Sequence, residues 1–273
     1  MNIEKKIKST LKKINLSKKS KIIVALSGGK DSTLVAYMLH KLGYNIEGFH
    51  IDLKIGKYSE DCLIKVKELC KLLDCKLHIY DMKKEMGSSM CYLRSGIQQR
   101  AKGEIKNCAI CGVIKKWVIN KQVRKLKADY IATGHNLDDE AQTFLMNVMK
   151  GSPQLSANLG IISQNIKDKK SKFIPRIKPL FYIPEDEIRK YTKKKKLPVH
   201  YQSCPCAIDS YRIQVRKFLY TLSNKDKTNI VNNFEALQDN LKNSKKQSPV
   251  NYCECCGEPA RGKICKKCKL MQI

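Results

Sequence analysis

No apolar run in the 273-residue chain is long enough to span a bilayer, and the first nineteen residues lack the apolar centre of a secretory signal. Membrane and export classes are set aside on that ground, and a cytoplasmic protein without a membrane partner is expected. Acid is also scarce: 25 Asp and Glu stand against 54 Lys and Arg, a formal net charge of +29. An excess of this size draws polyanions by counterion release, so RNA or DNA is an expected partner. Arginine is rare within it, eight of the 54 basic residues, so compositional bias toward Lys competes with nucleic-acid binding as the explanation. No internal repeat is present, and the Walker spacing between a first glycine and Gly-Lys-Ser/Thr is missing.

The chain does carry Ser27-Gly28-Gly29-Lys30-Asp31-Ser32. It follows the apolar run Ile22 to Leu26 and opens the amphipathic stretch Ser32 to Leu42, which predicts a strand, a glycine turn and a helix start. Adjacent glycines let backbone approach an anion closely, while the N–H groups and positive dipole end of the new helix point at it. This is a phosphate cradle, and the string resembles the PP-loop of ATP pyrophosphatases, enzymes that split ATP into AMP and pyrophosphate.

Further along, strands are predicted at Ile22 to Leu26, Ile46 to Leu53, Lys76 to Met82 and Tyr130 to Thr133. They alternate with helical patterns at Thr33 to Leu42, Glu60 to Leu73, Ile110 to Lys125 and Leu137 to Met149. Such repetition implies an α/β fold with an open, mostly parallel sheet and helices on both faces. Leu34, Val35, Met38, Leu39 and Leu42 are the expected core stripe of the first of these helices; Ala141, Phe144, Leu145, Val148 and Met149 are that of the fourth. Ligands in open sheets sit beyond the carboxyl ends of the strands near the switch point. Three segments converge there: the PP-loop, His50 and Asp52, and Gly134-His135 with the following Asp138 and Asp139. His50, Asp52 and His135 are candidate nucleoside contacts. The division expected is a basic N-terminal helix over 1–19, a nucleotide domain over 20–222, a helix and linker over 223–248, and a ribbon over 249–273.

Thirteen cysteines would mean disulfides in a small secreted protein; C-x-x-C pairs in a longer chain favour metal. Cys253-x-x-Cys256 and Cys265-x-x-Cys268, eight residues apart, match a tetrahedral structural Zn²⁺ site, with iron or reactive thiols as alternatives. Cys108-x-x-Cys111 and Cys204-Pro205-Cys206 form a second group. It offers fewer thiols than a closed zinc site needs, but suits an iron–sulfur cluster with one iron open. Positions 108, 111 and 115 share a helix face, so Lys115 projects beside the two thiols; an ordinary exposed lysine is the alternative.

SGGKDS, the Cys108/Cys111 pair, TGHNLDDEAQT, RIKPL at 176–180 and Cys204-Pro205 in this order resemble the TtcA/TtuA family of tRNA 2-thiolation enzymes, over about residues 20–222. The terminal four-cysteine ribbon resembles that of the 2-thiouridine-forming branch. The resemblance implies an ATP-dependent tRNA sulfurtransferase that adenylates the C2 oxygen of a uridine and replaces it with sulfur. It implies a [4Fe-4S] cluster on Cys108, Cys111 and Cys204, with Lys115 and the Asp138–Asp139 pair at catalytic positions, and a homodimer; ATP in the cradle is expected to bring Mg²⁺ bridging its phosphates, with Asp31 helping to hold the ion. The sulfur donor is left open between a ubiquitin-like thiocarboxylate, a persulfide and sulfide. Two departures stand out: no cysteine precedes Cys62, so residues 1–19 are expected to stand where the branch often carries an N-terminal zinc finger, and Cys206, at the place of a common aromatic residue, is the alternative to Cys204 as third cluster ligand. Competing readings are a PP-loop enzyme that thiolates cytidine or adenylates another substrate, and a nucleotide-sensing RNA-binding scaffold.

Overall fold

In the chain's computed structural model residues 3–163, 172–207, 211–243 and 251–272 are described. Most of the linker expected after Asn243 lies outside them, as does Ile208, where the apolar pattern predicts the start of a helix running to Leu222. Among the described residues no helix is long and apolar enough to cross a membrane.

The strands form one six-stranded sheet, β3-β2-β1-β4-β6-β5, parallel except for the edge strand β5. They are β1 (Ile22–Leu26), β2 (Ile46–Asp52), β3 (Leu77–Asp81), β4 (Tyr130–Ala132), β5 (Ile162–Ser163) and β6 (Arg176–Ile177). The helices begin α1 (Ile3–Lys13), α2 (Lys30–Lys41), α3 (Gly56–Leu72), α4 (Met82–Met86), α5 (Met90–Arg100), α6 (Asn107–Lys125) and α7 (Leu137–Met149). They continue α8 (Glu185–Lys194), α9 (Arg212–Tyr220), α10 (Asn224–Asn243) and α11 (Lys266–Gln272). Strand β1 shows why the sheet must be covered on both sides. Its alternating side chains send Ile22, Val24 and Leu26 into one core and Ile23 into the other, all buried. Because β1 leads outward to β2 and β3 on one side and lies beside β4 on the other, strand order reverses between β1 and β4. The crevice at their carboxyl ends is the place for a ligand.

Helix α1 belongs to the body. Ile3, Ile7 and Leu11 recur on one stripe, and their burial contributes about 1.5–3 kcal/mol each. Glu4 pairs with Lys41 and accepts from Tyr191, while Lys6 pairs with Glu187 at 2.8 Å, which fixes α1 against α2 and α8. The stripe expected on α2 is buried apart from partly covered Leu42. On α7 the expectation overshoots: Ala141 is buried and Leu145 partly so, but Val148 and Met149 are 46% and 65% exposed, because the last turn runs past the neighbouring helices. Helices α4 and α5, which no periodicity announced, fill the gap between β3 and α6.

Residues 251–272 make a two-stranded hairpin, β7 (Asn251–Tyr252) and β8 (Pro259–Ala260), followed by α11. This unit docks on α6: buried Glu258 receives Arg124 Nη1 at 3.0 Å and Asn120 Nδ2 at 3.2 Å, and Trp117 packs between the main core and the ribbon's cysteines.

Candidate active site

The loop between β1 and α2 is held by its own hydroxyls. Ser27 N–H donates to Ser32 Oγ at 3.1 Å, and Ser32 Oγ–H donates to the Gly29 carbonyl at 3.1 Å. Gly28 has φ +83°, and a Cβ there would lie 2.9 Å from the Cys62 backbone, so glycine is required twice over. Gly134, after β4, backs onto the same loop; a Cβ would fall 2.8 Å from Ser32 N and 2.9 Å from the Asp31 carbonyl carbon. The PP-loop and the Gly134 segment are thus packed backbone to backbone at the switch point.

Lys30 bonds Asp31 and Glu185, each at 2.8 Å. Burial opposes its charge, but these two carboxylates prevail and raise the ammonium above its ordinary range. Glu185 also receives Arg216 at 2.8 Å; against the cost of burial, the hydrogen bond from Lys30 and then Arg216 hold its carboxyl down to about 2. Asp31 accepts from Asn136 Nδ2 at 2.9 Å. Asn136 in turn caps α7, its side chain accepting from Asp139 N–H while Asp139 accepts from Asn136 N–H, a capping box. Asp139 is half-buried and near Asp31, and burial followed by that like charge pushes its carboxyl up to about 6. Two carboxylates so placed beside a phosphate cradle are suited to a divalent cation.

The neighbouring Asp138 turns the other way. Its two oxygens take Lys227 Nζ and the Glu185 N–H, both at 2.7 Å, so it joins α7, α8 and α10 rather than facing the loop. Asp52 accepts from Lys54, its Nζ at 2.8 Å and its N–H at 3.1 Å. His50 is buried beside β1, with Nδ1 bonded to the Leu26 carbonyl at 2.8 Å and Nε2 buried without a partner. Burial lowers its pKa, so it is neutral, and Nε2 is an acceptor at the strand ends. His135 lies on a cleft wall, reachable by solvent yet crowded by protein. Burial, then Lys178, Arg212, Lys116 and Arg176, hold its imidazole down to about 3.

Cys111, Cys204 and Cys206 are partly buried against the core that also takes Ile23. Cys111 and Cys204 pack against one core, close enough that each other's charge matters, and Cys204 is raised by burial and then by Cys206 and Cys111. Tyr58 stands beside Cys62, Cys204 and Cys111. His200 N–H donates to the Gly28 carbonyl at 2.8 Å, and its ring meets Tyr58 edge-on at 5.2 Å, tying the Cys204 segment to the PP-loop. Cys108, exposed, is one turn before Cys111 on α6. A cluster of four irons and four sulfides spaces its ligands wider than a single ion does, and the chemistry of three thiols suits one with an open iron. Cys206 has a different neighbour: Arg94 Nη2 lies 3.0 Å from its Sγ and 3.6 Å from Cys91 Sγ. Arg94, Glu185 and His200 were not singled out as site residues from sequence; each lies far along the chain from the group it meets.

In the ribbon, Cys253, Cys256, Cys265 and Cys268 place their sulfurs within 4.8 Å of one another. The Cys265 N–H donates to Cys253 Sγ at 3.2 Å, and this contact leads those that draw the Cys253 thiol below its usual range. Four thiolates supported by backbone donors fit Zn²⁺. Cys265→Ser is expected to abolish zinc binding by the ribbon and expose Cys268 to alkylation, while ATP binding at the PP-loop survives. Zinc analysis with thiol labelling checks this, and zinc retained at the wild-type level would contradict it.

A family profile described as a PP-loop domain matches residues 1–221. The chain is 34% identical over 274 residues to the tRNA-5-methyluridine(54) 2-sulfurtransferase of Pyrococcus horikoshii, covering 97% of this chain and 83% of that protein. It is 33% identical over 279 residues to cytoplasmic tRNA 2-thiolation protein 1 of Drosophila melanogaster, covering 98% and 78%. The solved structure of the U34-tRNA thiolase NcsA from Methanococcus maripaludis with its [4Fe-4S] cluster superposes with a TM-score of 0.80 at 28% identity, over 99% of this chain and 86% of that one.

Proposed function

The chain belongs to the PP-loop domain family, and on that premise we propose that it is an ATP-dependent tRNA 2-thiolase, a sulfurtransferase converting a uridine to 2-thiouridine. The observation that carries the reading is the direct link between its two chemistries. The Cys204 segment is hydrogen-bonded to the PP-loop through His200 and Gly28, so base activation and sulfur delivery share one crevice.

In this reading the N–H groups of residues 27–32 and Lys30 take the phosphates of ATP. They stabilise the charge that develops on departing pyrophosphate as AMP is joined to the uridine oxygen. The phosphates draw Lys30 away from Glu185, which keeps Arg216 as its counterion. Asp31 and Asp139 hold Mg²⁺. Lys115, on the helix face of Cys108 and Cys111, stabilises the adenylated base. When bound, a [4Fe-4S] cluster on Cys108, Cys111 and Cys204 supplies an open iron able to hold incoming sulfur. The oxygen leaves with AMP and sulfur takes its place. The relatives named above are a U34-tRNA thiolase and a tRNA-5-methyluridine(54) 2-sulfurtransferase, and the cytoplasm is the proposed location.

The test is anaerobic reconstitution with ATP, Mg²⁺, sulfide and unmodified tRNA, followed by nucleoside mass spectrometry and pyrophosphate measurement. Wild type should yield 2-thiouridine with at least one pyrophosphate per thiolated base. Cys111→Ala should bind ATP but form no 2-thiouridine, and Cys204→Ala should lose iron while Cys206→Ala keeps it. Thiolation by Cys111→Ala at the wild-type rate would refute the assignment.

A further inference from the structure

We infer that Lys116, Arg176, Lys178 and Arg212 form a second anion pocket, apart from the PP-loop, that holds the RNA phosphodiester adjoining the nucleotide to be modified. This rests on the thiolation reading above. The register places the pocket: Ile131 pairs with Arg176 and Ala132 with Ile177, and Thr133 N–H donates to the Ile177 carbonyl at 3.0 Å. Arg176 and Lys178 therefore flank the end of β4, beside the segment that leads through Gly134 to His135. Arg212 opens α9, its carbonyl taken by Gln142 of α7 at 2.7 Å, and Lys116 comes from α6 one residue beyond Lys115.

Three parts of the fold, α6, the β6 segment and α9, thus bring cations to one cleft, and their mutual proximity is physical. Burial, then Arg176, Arg212, Lys266 and Lys178, hold the Lys116 ammonium below its ordinary range. Among the described residues, Glu140 is bonded to Lys178 at 2.7 Å and Asp139 also feels Arg212, so both acids face the group. Arg176 Nε is buried and has no hydrogen-bond partner, a donor that a phosphate oxygen would satisfy.

Two arguments choose RNA as the occupant. The triphosphate already has a cradle of backbone donors with its own lysine, whereas a nucleotide whose base is adenylated must bring its own backbone phosphate one nucleotide's reach away. The positive field also continues past the pocket. Lys266 opens α11, and Lys267 and Lys121 stand over the Trp117 ring at 4.7 and 4.8 Å, a strip suited to a polyanion rather than to a single carboxylate.

Lys116→Gln and Arg212→Gln test the pocket, with an unmodified tRNA transcript titrated at several salt concentrations. Each variant should bind tRNA about tenfold more weakly and lower the slope of log affinity against log salt by roughly 0.7–0.9, with ATP affinity and thermal midpoint within error of wild type. Arg212, exposed on α9, carries the test if Lys116→Gln misfolds. An unchanged slope, or loss of ATP affinity in place of tRNA affinity, overturns the proposal. Should the slope fall as stated while wild type makes no 2-thiouridine, the thiolation reading fails and the phosphate pocket stands.

Discussion

Lys30→Ala is expected to slow pyrophosphate release from ATP in the presence of tRNA by about 100- to 1000-fold, with tRNA affinity within twofold of wild type. Lys30 is the PP-loop's own side-chain cation, and losing a preorganised donor aimed at developing charge costs this much in other enzymes. Its ammonium is kept charged by Asp31 and Glu185, so in the resting protein it is already directed and desolvated. Truncation removes the donor and leaves Asp31 with Asn136 and Glu185 with Arg216, so the loop keeps partners and should hold its shape. Lys30→Arg retains charge but not the compact ammonium and should recover only part of the rate. A coupled pyrophosphate assay decides it. A Lys30→Ala rate within threefold of wild type would remove the PP-loop from the chemistry.

The parts legible in the sequence were those whose physics is local. A glycine turn between an apolar strand and an amphipathic helix is written in consecutive residues, and so were β1, α2 and the parallel sheet that their alternation implies. The ribbon's ligands were legible for the same reason, since two C-x-x-C knuckles eight residues apart define their own site. Partners brought together by the fold were not. Glu185 meets Lys30 only because α8 starts beside α2, and the cations around His135 come from β6, α6 and α9. Asp138 and Asp139 show the limit most directly. Adjacent acids in a first helical turn look alike in sequence, yet a helix separates them by about 100°. One faces Lys227 and α8, the other the PP-loop. Val148 and Met149 continue the apolar stripe of α7, yet both are exposed in its last turn, where Tyr211 only touches Met149.

The orientation of Asp139 has a cost that can be measured. Asp139→Asn is expected to raise the thermal midpoint at pH 7.5 by about 3–6 °C while lowering pyrophosphate release at least about 100-fold. The sign follows from linkage. A carboxyl raised from its ordinary 3.8 to about 6 on folding binds a proton more tightly in the native state, so its charged form destabilises the fold. The penalty is complete above about pH 6 and gone below about 3.8. Its ceiling is about 3 kcal/mol, reduced to about 1–2 because the side chain is partly reached by water. Asparagine can keep the bond from Asn136 N–H without the charge. The gap between variant and wild type should therefore be largest at pH 7.5, shrink through pH 5 and close near pH 4. Saturating Mg²⁺ should narrow it at pH 7.5, since a cation shared by Asp31 and Asp139 relieves the wild type alone. Scanning calorimetry across that pH series is the measurement. A gap that does not change with pH would mean that the charge of Asp139 is not what destabilises the site, and equal Mg²⁺ stabilisation of both proteins would move the ion elsewhere.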